Sequence, residues 1–302
     1  MEKVNAPSIL MKSGLVALIG RANVGKSTLV NSLVGQKVTI VSAKPHTTRH
    51  RLLGILNGPN LQIGLLDTPG FLKQGRDLLD TSMSRELATA LEDAHAIALV
   101  AEPRTPGDIE LDLITHIKKS RKNAFLVINK IDTVAKAKLL PIIESYSKIF
   151  PFSEIVPVSS TKSDGLNSVI SAMAKAVPLH EPLFPEDALT DRPVRFLIGE
   201  LIRERIFNFY RHEIPYDVAV ILETFDERND KERNYLRAVV YVDKPSQKQL
   251  LIGKKGNALK SVGVDVRPEI EKLIGKPIYL DLWVKINPKW RNKAGFIQNT
   301  LK

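Results

Sequence analysis

The chain has 302 residues, of which 43% are hydrophobic and 25% charged; it carries a net charge of +11 and contains no cysteine. This composition is typical of a globular protein of one or two domains, and the lack of cysteine excludes disulfides, cysteine–zinc sites and cysteine nucleophiles. No apolar run approaches the roughly 18 residues of a membrane-spanning helix, and residues 1–14 lack the apolar core of a secretory signal, so we expect neither.

Residues 15–178 alternate short apolar runs with helical patterns, which predicts an α/β fold with a doubly wound, mostly parallel sheet. Because residues 57–60 are too few for a crossover helix, the second and third predicted strands must be antiparallel. The strands are predicted at 15–20, 51–56, 61–67, 96–102, 124–130 and 154–159. The helices are predicted at 26–35, 80–93, 108–120, 136–150 and 165–176.

Residues 177–193 contain four prolines and no sustained periodicity, which is typical of a linker between domains. Beyond this segment the pattern changes to an α+β unit with the element order helix, strand, strand, helix, helix, strand. These elements are predicted at 195–210, 217–225, 235–242, 246–252, 257–274 and 277–286.

The charge is unevenly distributed along the second half of the chain. Residues 179–243 contain 9 basic and 14 acidic residues, whereas residues 244–302 contain 13 basic and 4 acidic ones. The basic end predicts a polyanionic partner, either a nucleic acid or an anionic membrane.

A phosphate-binding loop is predicted at residues 20–28, "GRANVGKST", directly after the first apolar strand. Gly20 and Gly25 allow the backbone to wrap around phosphate oxygens, and the following helix directs its N-terminal N–H groups at them. Lys26 is expected to reach the β- and γ-phosphates, and the Ser27 hydroxyl is expected to bind Mg²⁺. The predicted nucleotide-binding residues of this loop are Gly20, Arg21, Ala22, Asn23, Val24, Gly25, Lys26, Ser27 and Thr28.

The motif "DTPG" at 67–70 ends a predicted strand beside the phosphate loop. We expect Asp67 to hold Mg²⁺ through a water molecule and the Gly70 N–H to meet the γ-phosphate, since glycine tolerates the backbone conformation needed there. Thr68, Pro69 and Phe71 complete the predicted nucleotide contacts of this segment.

The motif "NKID" at 129–132 decides the nucleotide. The Asp132 carboxylate can accept two hydrogen bonds from guanine N1–H and N2–H₂, donors that adenine does not offer in that arrangement. Asn129 is expected to brace the base and the loop, and Lys130 to lie over the ring. Ile131 and, after the last strand, Ser159 and Ser160 complete the predicted base side. The sequence therefore predicts GTP and argues against an enzyme that uses ATP.

A second glycine loop lies in "LLIGKKGNALKSVG" at 250–263, between two predicted helices. It resembles the G-x-x-G loop of KH domains, where glycines let the backbone pass close to about four nucleotides. The predicted RNA-binding residues are Ile252, Gly253, Lys254, Lys255, Gly256, Lys260, Trp290 and Arg291. Trp290 is predicted to stack a base beside Arg291, with packing against the KH surface as the alternative.

Together with "TTRH" at 47–50, these motifs resemble the translation-factor-related GTPases, and with the C-terminal half they resemble the Era family of bacterial ribosome-assembly GTPases. The resemblance implies a Ras-like P-loop GTPase sheet followed by an α+β type II KH domain. It also implies that Thr48 is the switch threonine contacting Mg²⁺ and the γ-phosphate, with Thr47 as the alternative. The implied domains are an N-terminal extension (1–12), the GTPase domain (13–178), a linker (179–193) and the KH domain with its basic tail (194–302).

The hydrolysis mechanism is predicted to lack a water-orienting glutamine, because Phe71 stands at that position after "DTPG". Catalysis then depends on Lys26, Thr48, Gly70 and Mg²⁺, and the resemblance implies a K⁺ ion at Asn23. The alternative for Asn23 is hydrogen bonding within the loop alone. We expect slow GTP hydrolysis to GDP and phosphate, faster in K⁺ than in Na⁺.

The resemblance implies a cytoplasmic, monomeric GTP/GDP switch that binds the 3′ end of 16S ribosomal RNA and acts in 16S rRNA maturation and small ribosomal subunit assembly. GTP is expected to order the loops at 38–50 and 68–82, and thereby to bias the KH domain. The alternative is a regulatory GTPase linked to cell-cycle control. Its basic C-terminal end would dock as a peripheral protein on anionic lipid at the inner face of the cell membrane.

Overall fold

The computed structural model describes residues 10–42, 44, 47–71, 77–210, 217–228 and 233–300. The chain divides into two compact units by its contacts. The first contains Met1–Thr39, Thr48–Gln74 and Met83–Asp191, and the second contains Ile40–Thr47, Gly75–Ser82 and Arg192–Lys302. Most of the predicted N-terminal extension, and part of the predicted loop at 68–82, lie outside the described residues. Among those that are described, no helix is both long and apolar enough to cross a bilayer.

The first unit is built on a mixed sheet with the strand order β2-β3-β1-β4-β5-β6, counted over the described residues. Its strands are β1 (Met11–Ile19), β2 (Leu52–Gly58), β3 (Leu61–Asp67), β4 (Ala96–Ala101), β5 (Asn123–Ile128), β6 (Ile155–Pro157) and β7 (Leu179–His180). The expected antiparallel pair is confirmed in β2 and β3, whereas β1, β3, β4, β5 and β6 pair in parallel. The parallel strands bring their carboxyl ends, and the motifs that follow them, to one edge of the sheet.

Helices cover both faces of this sheet, as the Val-, Ile- and Leu-rich strands require. They are α1 (Lys26–Val34), α2 (Leu78–Asp93, which begins in the second unit), α3 (Asp108–Ser120), α4 (Leu139–Ser147) and α5 (Leu166–Ala176). One apolar cluster contains Leu18, Leu29 and Val169, and another on the opposite face contains Ile19, Ile97 and Ile114. The two-sided core makes the sheet a rigid base for the loops at its edge.

The predicted linker packs along the first unit rather than running separately from it. β7 pairs antiparallel with the start of β1, at Met11 and Lys12. Farther along, the Ile55 N–H donates to the Leu189 carbonyl at 2.8 Å. The physical reason is that these residues satisfy backbone groups of the sheet, a tertiary role that leaves no periodic pattern in the sequence.

The second unit is an α+β fold with the strand order β10-β9-β8, in which β10–β9 is parallel and β8–β9 antiparallel. Val240 on β9, together with Ile202 and Ile270 from the covering helices, is fully buried in one apolar cluster. The C-terminal helix α9 was not predicted. The elements are α6 (Val194–Phe209), β8 (Ala219–Asp226), β9 (Asn234–Val242), α7 (Pro245–Ile252), α8 (Asn257–Ile274), β10 (Ile278–Ile286) and α9 (Ala294–Thr300).

Candidate nucleotide and RNA sites

The phosphate loop connects the end of β1 to the start of α1, and two of its residues must be glycine. A Cβ on Gly20 would lie 2.3 Å from the Val100 carbonyl oxygen, and one on Gly25 would lie 2.4 Å from Asn129 Nδ2. Gly25 also has a φ of +95°, which favours glycine. The close backbone approach therefore explains both glycines of the motif.

Lys26 is buried, and its ammonium group donates to the loop carbonyls of Gly20 at 3.1 Å and Arg21 at 2.9 Å. Burial lowers the pKa of Lys26 to about 8, an effect that the Asp67 carboxylate opposes. Burial likewise raises the pKa of Asp67 to about 6, opposed first by Lys26. A bound phosphate would favour the charged form of Lys26, so the loop is suited to an anionic ligand.

Three oxygen-bearing side chains meet beside the loop. Ser27 Oγ donates to Asp67 Oδ2 at 2.6 Å and lies 3.0 Å from Thr48 Oγ1. The buried Asp67 Oδ1 has no hydrogen-bond partner among the described residues. Hydroxyl and carboxylate oxygens are the ligands that Mg²⁺ prefers, so the donor set fits that ion. Thr47 is oriented elsewhere, with its hydroxyl donating to the Lys44 carbonyl at 2.6 Å.

The segment after β3 touches the phosphate loop through its backbone. A Cβ on Gly70 would lie 2.8 Å from both Cα and N of Ala22, and the Phe71 N–H donates to the Gly20 carbonyl at 3.2 Å. The Phe71 ring packs edge-on against His116, with centroids 5.7 Å apart. A phenyl ring has no group with which to orient an attacking water, so the structure offers none at this position.

The base side is assembled from the loops after β5 and β6. Asn129 Nδ2 donates to the Val24 carbonyl at 2.9 Å, while its Oδ1 accepts from Ser160 N at 3.1 Å and Ser160 Oγ at 2.8 Å. Asp132 Oδ1 accepts from Ser159 Oγ at 2.6 Å, and this bond is the main reason that the pKa of Asp132 is lowered. The carboxylate is thus ionised and held in place, as an acceptor for guanine requires.

Lys130 connects the base side to the phosphate loop. Its φ is +62°, and its ammonium group donates to the Asn23 carbonyl at 2.5 Å and to Glu102 Oε1 at 2.7 Å. Sequence reasoning missed Glu102. The available signal was a carboxylate just past the carboxyl end of a parallel strand, where ligand sites of such sheets lie.

The loop between α7 and α8 contains three residues in the left-handed region of backbone conformation. Gly253, Lys255 and Gly256 have φ values of +69°, +51° and +78°. A Cβ on Gly253 would lie 2.6 Å from Ala258 Cβ, whereas one on Gly256 would have no atom within 4 Å. The other predicted contacts lie around this loop: Lys254, Lys255 and Lys260 are exposed, and Ile252 packs against the core.

The prediction that Trp290 stacks a base is wrong, and the packing alternative holds. Trp290 is 1% exposed, and its Nε1 donates to the Asp217 carbonyl at 2.9 Å. Within the same unit, Arg291 Nε donates to Asp77 Oδ2 at 2.6 Å and Nη2 to Asp80 Oδ1 at 3.1 Å. Its guanidinium is thus paired with two carboxylates, and the RNA contact of Arg291 stays a prediction.

Two family models match the chain. The model described as a 50S ribosome-binding GTPase matches residues 15–130, and the model described as a KH domain matches residues 213–291. Among curated proteins, GTPase Era of Ruminiclostridium cellulolyticum is 39% identical over 288 residues, which is 95% of this chain and 96% of that protein. GTPase Era of Geobacter metallireducens is 41% identical over 280 residues, or 92% and 94% of the two chains.

Two solved structures are similar over nearly the whole chain. A tyrosine-to-alanine variant of Aquifex aeolicus Era, bound to GDP and AlF₄⁻, matches with a TM-score of 0.92 and 38% identity and covers 96% of this chain and 99% of that one. An Era in complex with MgGDPNP and nucleotides 1506–1542 of 16S ribosomal RNA matches with a TM-score of 0.92 and 39% identity, covering 96% and 98%.

Proposed function

The chain belongs to the Era family of GTPases, and we propose that it is a GTP-hydrolysing switch that binds the 3′ end of 16S ribosomal RNA during assembly of the small ribosomal subunit. One observation carries this proposal. The relative that holds both MgGDPNP and nucleotides 1506–1542 of 16S rRNA matches 96% of this chain, including both units. GTP hydrolysis itself follows from the family; the RNA and the assembly role are the proposed parts.

In the proposed nucleotide site, Lys26 and the Gly70 N–H bind the γ-phosphate, and Asp132 reads the guanine edge. Ser27 and Thr48 would hold Mg²⁺ directly and Asp67 through a water; the bound ion neutralises charge on the phosphates. Thr48 is preferred over Thr47 because its hydroxyl lies 3.0 Å from Ser27 Oγ.

Because Phe71 cannot orient water, hydrolysis in this proposal depends on charge neutralisation and positioning. A K⁺ ion at Asn23 would add positive charge at the position where other GTPases use an arginine. The test compares turnover in KCl and NaCl for the wild type and Asn23→Ala. We expect K⁺ to stimulate only the wild type; equal rates in the two salts would leave Asn23 with a loop role alone.

Contacts within the second unit support a coupling between nucleotide and RNA. Segment Ile40–Thr47 belongs to that unit, where Arg203 Nη2 of α6 donates to the Thr47 carbonyl at 2.5 Å. Glu204 Oε1 accepts from Val41 N at 3.2 Å. Thr48 is the next residue in the chain, so a nucleotide state that moves Thr48 also changes the geometry of these two hydrogen bonds. RNA bound to this unit then favours either the GTP-bound or the GDP-bound state.

The RNA side of the proposal rests on the glycine loop, where the backbone at Gly253 and Gly256 can approach nucleotides and Lys254 and Lys255 neutralise phosphates. The decisive experiment measures binding of the full chain to the 16S rRNA 3′ end at fixed salt, with GDP and with a non-hydrolysable GTP analogue. We expect tighter binding with the analogue, and weaker binding in both states for Gly256→Asp. Equal affinity in the two states would contradict the coupling, and no binding at all would contradict the RNA function.

A further inference from the structure

The sheet of the second unit has an outer face, opposite the face covered by α6 and α8. Leu236, Ala238 and Val240 of β9 point into the core, so the alternate residues point outward. In the parallel register, Tyr235 pairs with Tyr279, and Arg237 pairs with Asp281. With Trp283 two residues farther along β10, these side chains form a continuous group. The outer-face patch is Tyr235, Arg237, Tyr279, Asp281 and Trp283.

Two of the three aromatic residues of this patch are largely exposed. Tyr279 is 59% exposed and Trp283 53% exposed. The rings of Tyr235 and Tyr279 are stacked, with centroids 5.9 Å apart and planes inclined by 13°. Large aromatic surfaces left in water and grouped together mark a binding surface more often than single exposed residues do.

Polar bonds hold the rings of Tyr235 and Trp283 in fixed orientations. Asp281 Oδ2 accepts from the Tyr235 hydroxyl and from Trp283 Nε1, both at 2.8 Å. The Arg237 guanidinium lies 5.8 Å from the ring centroids of both Tyr235 and Trp283, and its Nε donates to Asp281 Oδ2 at 3.2 Å. A surface that is ordered in this way binds a flat partner at a low cost in side-chain entropy.

In the neighbouring part of the same face, the aromatic side chains are covered instead of exposed. There the Tyr241 ring meets Phe296 of α9 edge-on, with centroids 5.0 Å apart, and Trp290 is buried nearby against the same phenylalanine. Within the described part of the chain, the C-terminal segment thus covers the aromatics at one end of the outer face but not Tyr279 and Trp283 at the other end.

We propose that the outer-face patch is a second contact surface for single-stranded RNA, on which bases stack against Tyr279 and Trp283. This inference rests on the proposed RNA-binding function and adds a surface apart from the glycine loop. Stacking on exposed aromatics and arginine is the general mode by which open sheets bind single strands. The basic composition of residues 244–302, with 13 basic and 4 acidic residues, favours a polyanion over an ordinary protein surface.

The charges of the patch predict how it contributes. Arg237 is paired with Asp281, and at the patch border Lys285 Nζ donates to Glu223 Oε1 at 2.8 Å. Because these cations already have carboxylate partners, the patch supplies base stacking rather than phosphate neutralisation. Its removal should therefore weaken RNA binding without changing the dependence of affinity on salt, unlike the removal of a lysine that contacts phosphate.

The test uses the full chain and a fluorescein-labelled RNA of the 16S 3′ end, titrated at several salt concentrations. We expect the double variant Tyr279→Ala/Trp283→Ala to lose about tenfold or more in affinity, with the salt slope unchanged. Lys254→Ala should instead lower that slope by about 1. Phe209→Ala is the matched control, since Phe209 is an aromatic on α6 of the same unit and is 50% exposed; it should bind as the wild type does.

A second readout uses the two tryptophans. Trp283 is exposed and Trp290 is buried, so a stacked base should quench Trp283 emission selectively. In Trp283→Phe the ring remains, so RNA binding should persist while the quenching disappears. If the alanine variants unfold, quenching of Trp283 in the wild type, and its absence in Trp283→Phe, still test the patch.

Unchanged affinity in the double variant, or no quenching of Trp283 in a wild type that binds RNA, would overturn the patch proposal and leave the glycine loop as the RNA site. A wild type that binds no RNA would overturn the proposed function and this inference together. Concentration-dependent self-association that the double variant abolishes would assign the patch to a second copy of the chain instead.

Discussion

The two glycines of the loop between α7 and α8 should differ sharply in how well they tolerate alanine. At Gly256, φ is +78° and no atom lies within 4 Å of an added Cβ, so Gly256→Ala should cost only the left-handed strain, about 1–2 kcal/mol. At Gly253, φ is +69° and ψ is −177°, a conformation essentially restricted to glycine. There the new Cβ would also lie 2.6 Å from Ala258 Cβ. That atom is on a helix and cannot move away, so Gly253→Ala should cost about 3 kcal/mol or more.

Thermal unfolding of the full chain, followed by circular dichroism, measures the difference. For a unit of this size about 1 kcal/mol corresponds to roughly 4–8 °C, so Gly253→Ala should unfold well below Gly256→Ala. Equal losses for the two variants would refute the reasoning from Cβ geometry. Gly256→Asp is therefore the better variant for the RNA-binding test, because it places a carboxylate in the proposed path of the backbone phosphates while the fold persists.

Three further outcomes are expected from side chains described by the structure. Asp132→Asn should weaken GTP binding about a hundredfold, because it removes a charged acceptor. The variant should instead bind xanthosine triphosphate, which has a carbonyl where guanine has its 2-amino group. Unchanged GTP affinity in competition assays would contradict the role of Asp132. The contribution of His95 to the free energy of unfolding should fall as pH is lowered below 6.5, its pKa in the unfolded chain. His95 Nδ1 accepts from Leu15 N at 2.9 Å, and burial, then nearby positive charges, lower the folded pKa. A His95→Gln variant retains an acceptor and should show a flatter pH profile, and an identical profile would exclude His95 as the source. Arg203→Met should destabilise the chain by about 3–5 kcal/mol, because the buried Glu200 carboxylate loses its two hydrogen bonds to Arg203, of 2.7 and 2.5 Å. In urea unfolding, the double variant Arg203→Met/Glu200→Met should recover part of that loss. No recovery would contradict the ion-pair explanation.

The nucleotide motifs could be predicted from sequence because their chemistry is local. Each follows the carboxyl end of a strand, and the parallel sheet then brings Asp67 and Asn129 to the same edge without any information on packing. The preference for Thr48 over Thr47 came from the family resemblance rather than from local chemistry. The structure adds a physical reason, since the Thr48 hydroxyl lies beside Ser27 Oγ whereas the Thr47 hydroxyl donates to the Lys44 carbonyl.

Features that depend on distant partners could not be predicted in this way. Trp290 lies among basic residues and so suggests an RNA contact, but its indole is buried and donates to the carbonyl of Asp217, 73 residues away in sequence. Strand β7 is two residues long and pairs with β1 through backbone hydrogen bonds, so no periodicity in its own sequence predicts it. The outer-face patch needs the register of β9 against β10, which aligns Tyr235 with Tyr279 although two helices, α7 and α8, separate the strands in sequence.

The assignment of Ile40–Thr47 to the second unit has a consequence for synthesis of the protein. The ribosome produces this segment long before α6, whose Arg203 and Glu204 supply hydrogen bonds to it. A nascent chain that has completed only its sheet therefore has the phosphate loop but lacks the partners that hold the residues before Thr48. In the proposed coupling, the hydrogen bonds that link this segment to α6 can therefore form only after the later half of the chain has been synthesised.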